Sequence, residues 1–214
     1  MSIQLAGDLA GTRIANVDSQ YLALRTGSFP IDGNHYSFQT SSGAMTGIAT
    51  NNPVFSFRNI STNQILIQEV SITAIATTGF TAAQRIGFQL WVARNWTVSD
   101  SGGTAVPLTG NTNKLRTSYT TLTAVDCRIS TTGALTAGTR TADTYPIDSN
   151  YGWAAAATAG IVIPHTNIYA SFENGHPLVL GQNEGIVLVT GAAFGAAGVV
   201  TLDVTVKLIE RTTY

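Results

Sequence analysis

Charged side chains are scarce in this sequence. Asp, Glu, Lys and Arg make up 11% of the 214 residues, against about 25% in an average soluble domain, and Lys occurs only twice. Thr, Ser and Asn, with 31, 15 and 13 residues, supply most of the polar groups. A helical bundle needs Glu, Lys and Arg on its outer faces, and a disordered chain needs low hydrophobicity. With 44% hydrophobic residues, the composition favours a β-rich protein whose surface tolerates being covered.

Other features are also missing. The only cysteine, Cys127, excludes an internal disulfide framework and a multi-cysteine zinc site. The net charge is −1 and the Arg residues are scattered, so no basic stripe exists to bind nucleic acid. The most apolar window, 185–206, is interrupted by Thr190 and Asp203, and the first ten residues hold no basic segment. We therefore expect neither a membrane span nor a secretory signal.

Motifs for catalysis are equally scarce. The sequence contains no Gly-x-Ser-x-Gly elbow and no glycine-rich phosphate loop. Cys127 has no nearby imidazole to activate it and is interpreted as a small structural side chain. We therefore expect no enzymatic activity, no catalytic residue and no cofactor. One alternative stays open, a hydrolase with a carboxylate pair, because the distance between two carboxylates is not a sequence property. Nothing in the sequence singles out such a pair, and Asp100, Asp126, Asp143 and Asp148 cluster in an irregular stretch where Asp most often caps turns.

A metal site is a weak alternative. His165, Glu173 and His176 would converge if the strands around them formed a hairpin, giving two imidazoles and a carboxylate. Their spacing matches no common zinc motif, and turn residues are the usual explanation for such side chains. The sequence also lacks a His-x-His pair, which disfavours a cupin-type metal enzyme. We expect no metal ligands.

Strict alternation of apolar and polar residues dominates the chain. Apolar residues occupy every second position over 200–208 and over 86–92, which is typical of half-buried strands. Further strands are predicted at 54–57 and 65–74, with others near 21–25, 35–39, 161–163, 168–172, 177–180 and 186–189. Turn residues separate nearly all of these segments. The pattern predicts an all-β, single-domain antiparallel β-sandwich, jelly-roll-like, with a long irregular insertion.

The insertion is residues 99–150, a stretch rich in Thr, Gly and Ser with a weak strand candidate at 122–129. Such long loops are uncommon in compact domains. Three roles stay open for it: a crossover between sheets, an exposed arm, and a segment ordered by a neighbouring subunit. We assign residues 1–52 to an N-terminal segment that could anchor the chain and supplies the first strands, and 53–214 to the β-sandwich domain, within one structural domain overall.

Aromatic residues provide the candidate interface. Trp91 lies opposite the apolar face of its strand, and Trp96 follows shortly after. Phe194 is predicted at the tip of a hairpin connection, where an exposed ring would be a contact residue and a buried ring a plug, and we favour the contact. Aromatic side chains are enriched in protein interfaces while Lys and Glu are depleted, as they are in this chain. We predict Trp91, Trp96 and Phe194 as interface residues. A strand buried on both faces would also explain Trp91, and stacking of glycans on Trp91, Trp96 or Trp153 is the alternative function.

Three blocks of sequence carry a resemblance. They are SDSGGTAVPLTGNTNKLRTS at 99–118, DCRISTTGALTAGTRT at 126–141 and HPLVLGQNEGIVLVT at 176–190. Together they resemble a family of bacteriophage-encoded proteins that look like virion components. The resemblance implies a structural role in the particle, as a capsid decoration or cement protein, and many such proteins are jelly-roll trimers. It implies no catalytic residues. The expected partners are further copies of the chain and the major capsid protein or another virion protein, and the expected location is the virion.

Overall fold

The fold is described by a computed structural model. It covers residues 33–108, 113–122 and 124–211, together with the backbone of two short paired strands before them. Contacts divide the chain into two units, Met1–Asp32 and Gly33–Tyr214. Most of the proposed anchoring segment, and the strand candidate at 21–25 apart from its last two residues, lie outside the described part.

Nearly all regular structure is β. In chain order the strands are β1 (Asn16–Val17), β2 (Leu24–Arg25), β3 (Asn34–Ser41), β4 (Pro53–Asn59), β5 (Gln64–Thr78), β6 (Gln84–Val98), β7 (Thr104–Ala105), β8 (Val125–Ile129), β9 (Thr139–Ala142), β10 (Asp148–Ala154), β11 (Gly160–Ala170), β12 (Leu178–Leu180), β13 (Glu184–Thr190) and β14 (Val199–Arg211). A four-residue helix, α1 (Ser171–Asn174), ends at Gly175 with φ 77°, a left-handed C-cap that glycine adopts without strain. Within the described residues, no helix is long and apolar enough to cross a membrane.

The second unit is a sandwich of two antiparallel sheets. One sheet has seven strands in the order β10-β6-β13-β4-β8-β7, with β9 also pairing β6. The other has five, in the order β11-β5-β14-β3, with β12 also pairing β5. All these pairings are antiparallel. The predicted all-β sandwich is therefore confirmed.

Strand pairing explains how the chain builds the sandwich. β3 pairs β14, β4 pairs β13, β5 pairs β11 and β6 pairs β10. The chain thus forms one long antiparallel ribbon of four strand pairs. Successive pairs alternate between the two sheets, and further pairing of β14 with β5 and of β13 with β6 joins them. A rolled ribbon of this kind is the jelly-roll arrangement.

The core lies between the two sheets. β14 supplies Val200, Leu202, Val204, Val206 and Leu208, the residues whose alternation predicted this strand, and all five are fully buried. The facing sheet contributes inward side chains of β4 and β6, among them Phe55, Phe57 and Phe88, which are also fully buried. They form one continuous apolar cluster. Apolar burial on this scale is the main favourable term in folding.

Residues 99–150 connect β6 to β10 within the same sheet and carry β7, β8, β9 and the start of β10. The weak candidate at 122–129 corresponds to β8. The backbone amide of Ser37 donates to the carbonyl of Asn113 over 3.0 Å, and that of Leu115 donates to His35 over 3.0 Å. The segment therefore extends one sheet and covers the free edge of β3 in the other, which protects that edge from pairing with another chain.

Candidate binding cleft

A second, smaller apolar cluster lies on the outer face of the seven-stranded sheet. It consists of Ala93 and Trp96 of β6 and Val187 and Val189 of β13, with Trp91 packed against them. This cluster is separate from the main core between the sheets. β6 and β13 therefore bury apolar side chains on both faces, which is the second explanation given for Trp91, although Trp91 itself is half-buried.

A break in the regular alternation brings Trp96 into this cluster. Asn95 adopts a left-handed conformation with φ 49°, and the pairing of β6 with β9 shifts register between Arg94 and Val98. An extra left-handed residue of this kind re-aims the following side chain. The backbone amide of Trp96 donates to the carbonyl of Asn183 over 2.8 Å. A Cβ atom at Gly185 would lie 2.8 Å from the Trp96 ring, so the glycine makes room for the indole.

The outer cluster forms one wall of an open cleft of about 320 Å³. Its lining residues come from four parts of the chain and are almost entirely apolar. They are Asn51, Pro53, Trp91, Ala93, Ala137, Arg140, Ala142, Val187 and Val189. The volume lies at the lower end of the range for small-molecule sites. Among the described residues of the lining, Arg140 is the only charged one.

Arg140 is held by a buried ion pair. Its side chain is 10% exposed, and Nη1 pairs with Oδ1 of Asp100, whose side chain is fully buried. The same Oδ1 accepts a 2.8 Å hydrogen bond from the backbone amide of Gly138. The guanidinium carbon of Arg140 lies 4.6 Å from the ring centre of Trp96, which is a cation–π distance. Burial lowers the pKa of Arg140 to about 10, so the guanidinium keeps its charge at neutral pH.

A row of polar and aromatic side chains continues from the cleft along the same face. Trp91 Nε1 donates to Gln89 Oε1 over 3.4 Å, and Gln89 Nε2 donates to the Tyr151 hydroxyl over 3.0 Å. The Tyr151 ring lies over Gly87, where a Cβ atom would collide with it, and Arg85 stacks 3.5 Å above its centre. Trp153, the cross-strand partner of Arg85, is 66% exposed.

The predicted interface residues occupy three different environments. Trp91 is half-buried in the cleft wall. Trp96 is 1% exposed within the outer apolar cluster, so in this chain it is not available as an interface residue. Phe194 is 3% exposed and packs edge-on against Phe80 with ring centres 6.5 Å apart. The prediction of Phe194 as an exposed tip is therefore corrected, because the connection between β13 and β14 folds its aromatic ring into the core.

The residues considered for chemistry are placed in structural roles. Asp100 pairs with Arg140, Asp143 with Arg94 at 2.9 Å and Asp126 with Arg128 at 3.6 Å. Burial, with a smaller contribution from Asp126, raises the pKa of the Cys127 thiol well above its usual value. In the described part of the chain, no group of three or more His, Cys, Asp or Glu side chains could hold a metal ion.

Sequence reasoning missed Arg140 and Asn51 as lining residues, and it named Asp100 only as one of four clustered acidic residues. Arg140 and Asp100 are 40 positions apart within the irregular insertion, and no local pattern connects them. The one available indication was an isolated Arg within a Thr-rich and Ala-rich segment that carries no other charge between Arg128 and Asp143.

Comparison of the chain with protein-family models, curated proteins and solved structures found no match.

Proposed function

We propose that the chain is a non-enzymatic structural protein of a bacteriophage particle, a decoration or cement protein that binds the outer surface of the capsid and stabilises it. The proposal includes self-association, with a trimer as the expected state. It is supported by the three sequence blocks that resemble phage virion proteins and by the jelly-roll sandwich, an architecture that viral capsid domains use. The expected location is the virion.

The observation that carries the proposal is the distribution of exposed apolar side chains. Nine large hydrophobic side chains are exposed among the described residues, and six of them lie within 145–179. They are Tyr145, Ile147, Trp153, Ile161, Phe172 and Val179. This segment, called the low-charge segment here, contains only two charged residues, Asp148 and Glu173. Exposed apolar side chains that lie together mark surfaces that bind other proteins, and Trp153 and Ile161 are on strands whose backbones come close together at Gly152 and Val162.

Low charge suits a protein that is covered by its neighbours. Removing an ion from water costs several kcal/mol, so a contact surface that holds few charges is buried at little electrostatic cost. The low-charge segment offers rigid support for such a contact, because β10 is paired with β6 and β11 with β5. A Cβ atom at Gly152 would also collide with the carbonyl of Val162, so the two strands lie close together at this edge of the sandwich.

The experiment combines light scattering with co-sedimentation on empty capsids. The wild-type chain should have a mass near three times 22.5 kDa and should sediment with capsids. The double variant Trp153→Glu/Ile161→Asp should lose roughly tenfold or more in capsid affinity, since it places charges in the contact. Thr132→Glu, an exposed position outside the low-charge segment, is the matched control. A stable wild-type monomer with no affinity for capsids would contradict the proposal.

A second candidate function is a receptor- or glycan-binding module of a tail fibre or adhesin. The specific observation in its favour is Trp153, a residue that is 66% exposed and lies on the same face as Tyr151 and Trp91 of the cleft wall. Sugars stack on exposed aromatic faces of this kind. On a glycan array, Trp153→Ala should then abolish a signal that the wild-type chain gives. Binding that persists in this variant would exclude Trp153 as the platform.

A further inference from the structure

The cleft contains hydrogen-bonding groups that the protein does not use. Arg140 donates through Nη1 to Asp100, but its Nε and Nη2 make no hydrogen bond within the described residues. The Asn51 side chain, also in the lining, likewise makes none there. A guanidinium has five N–H donors, so most of the donors of a nine-tenths-buried side chain have no protein acceptor. Unused donors beside an apolar cavity are characteristic of a ligand site.

The charge of the site limits what it can hold. Asp100 formally balances the single charge of Arg140, and among the described lining residues Arg140 is the only cation, so the cleft has no spare cation for a ligand with two or three negative charges. A phosphate or sulfate would bring further charge and several acceptor oxygens into walls where, among the described residues, only Arg140 and Asn51 have donors to spare. One carboxylate needs only the planar guanidinium, whose geometry it matches. The ligand that fits the charge is therefore a monoanion with a single carboxylate.

The walls of the cleft limit the chemistry of the part of the ligand beyond its carboxylate. Pro53, Val187 and Val189 carry no side-chain polar group, and Trp91 presents an indole whose N–H already donates to Gln89. A sugar ring in this position would leave most of its hydroxyls without partners, at a cost for each of them. An aromatic ring would bury apolar surface and pack against the indole of Trp91. The apolar walls thus favour an aromatic body over a polar one.

We propose that the cleft binds a small aromatic monocarboxylate, with its carboxylate on Arg140 and its ring against Trp91. The assignment uses the cleft alone and goes beyond the proposed role in the virion, because capsid adhesion is attributed to the low-charge segment. Failure of one proposal therefore leaves the other standing.

Three probes test the ligand chemistry: benzoate, benzamide and glucuronate. Binding is followed by the NMR signal of the Trp91 indole N–H, identified among the three Trp residues with Trp91→Phe. Benzoate should shift this signal saturably. Benzamide, which lacks the charge, should bind roughly tenfold or more weakly, as expected for the loss of a charge-assisted hydrogen bond. Glucuronate, which has the carboxylate but a polar ring, should also bind at least tenfold more weakly.

Variants separate the contribution of the guanidinium from that of the cavity. Asp100→Asn/Arg140→Gln removes both charges together, so no unpaired ion is left buried, and the preference for benzoate over benzamide should disappear. Ala142→Phe fills the cleft and should abolish binding of both probes. Arg85→Gln is the matched control, because Arg85 lies on the same face but stacks on Tyr151 outside the cleft. It should bind benzoate as the wild type does. Circular dichroism and thermal unfolding verify that each variant is folded.

Several results would overturn the assignment. They are equal affinity of the wild type for benzoate and benzamide, equal affinity for glucuronate and benzoate, and the absence of any saturable shift. Retention of the benzoate preference in a folded Asp100→Asn/Arg140→Gln protein would also overturn it, since the carboxylate would then bind elsewhere. If Arg85→Gln lost as much affinity for benzoate as Asp100→Asn/Arg140→Gln, the loss would reflect a general effect of removing positive charge and not a site at Arg140.

Discussion

The inner and outer faces of the seven-stranded sheet differ in what covers them. On the inner face, Ile86, Phe88 and Leu90 of β6 are fully buried against the five-stranded sheet. On the outer face, the insertion covers Trp96 but leaves Trp91 half-buried beside an open cleft. The chain thus satisfies the inner face entirely by itself. The outer face is also apolar but remains partly uncovered, and that difference separates the residues that build the fold from those that are available for binding.

The two faces also differ in polarity. The inner cluster is apolar apart from the hydroxyls of Tyr36 and Tyr169, which donate to backbone carbonyls over 2.9 and 2.8 Å. The outer cluster is bordered by the Asp100–Arg140 pair and by the hydrogen bonds from Trp91 through Gln89 to Tyr151. Apolar burial alone is non-directional, whereas hydrogen bonds fix orientation. These hydrogen bonds therefore hold the side chains of the outer face in fixed orientations. Four substitutions test the contrast between the two faces.

The largest effect is expected on the inner face, from Phe88→Ala. The ring is fully buried in the main cluster, so its removal loses apolar burial and leaves a cavity. The free energy of unfolding should fall by about 3–5 kcal/mol. Urea denaturation followed by circular dichroism measures the change. A loss below about 1 kcal/mol would mean that the interior is far less tightly packed than the burial implies.

The next largest effect is expected on the outer face, from Arg140→Gln. This variant leaves the fully buried Asp100 carboxylate without its cation, and we expect a loss of about 3 kcal/mol in unfolding free energy. Asp100→Asn/Arg140→Gln should recover part of that loss, because it removes the unpaired charge. Denaturation curves of both proteins give the comparison. If the double variant were less stable than Arg140→Gln, the ion pair would not be the cause.

A smaller effect is expected from Trp91→Ala. The indole is half-buried in the cleft wall, so its removal should cost about 1–2 kcal/mol, less than a fully buried ring. Thermal unfolding of this variant beside Phe88→Ala measures the difference between the faces directly. If Trp91→Ala and Phe88→Ala lowered the free energy of unfolding equally, the outer face would be as tightly packed as the inner face and the contrast between the faces would be wrong.

The smallest effect is expected from Arg94→Ala at the rim of the outer face. Arg94 pairs with Asp143 at 2.9 Å and with Glu184 at 2.8 Å, but its side chain is 47% exposed. Exposed ion pairs contribute little, so the loss in unfolding free energy should stay below about 1 kcal/mol. The same denaturation assay applies, repeated at high salt. A loss that approached that of Arg140→Gln would show that the rim is as important as the buried pair.

The sequence predicted the inner face well and the outer face poorly, for a physical reason. A half-buried strand produces a period of two, and this period located β14 and β6 from residues such as Val204 and Phe88. Membership of the outer cleft depends instead on contacts between distant segments. Arg140 and Val187 lie 47 positions apart, and no local rule brings them together. Trp91 was identified because an indole on the second face of an alternating strand is itself unusual.

The insertion, residues 99–150, was the other region whose structure the sequence predicted poorly. Its Thr-rich and Gly-rich composition resembles a loop, yet β8 pairs β4 over five residues. Backbone hydrogen bonds do not depend on side-chain pattern, so a strand at the border of a sheet need not alternate strongly. The prediction of Phe194 as an exposed tip was wrong for a related reason. Gly and Ala around it predicted a flexible tip, whereas its burial depends on Phe80, 114 positions earlier in the chain.

The central claim is that the low-charge segment is a contact surface. Hydroxyl-radical footprinting, read by mass spectrometry, measures the solvent access of Trp153 in the free chain and in the presence of capsids. Trp153 is 66% exposed in the isolated chain, so it should be oxidised readily when free and several-fold less when bound, while the exposed Leu115 outside the segment keeps its rate. Equal oxidation of Trp153 in both states, with the chain demonstrably bound to the capsid, would contradict the account.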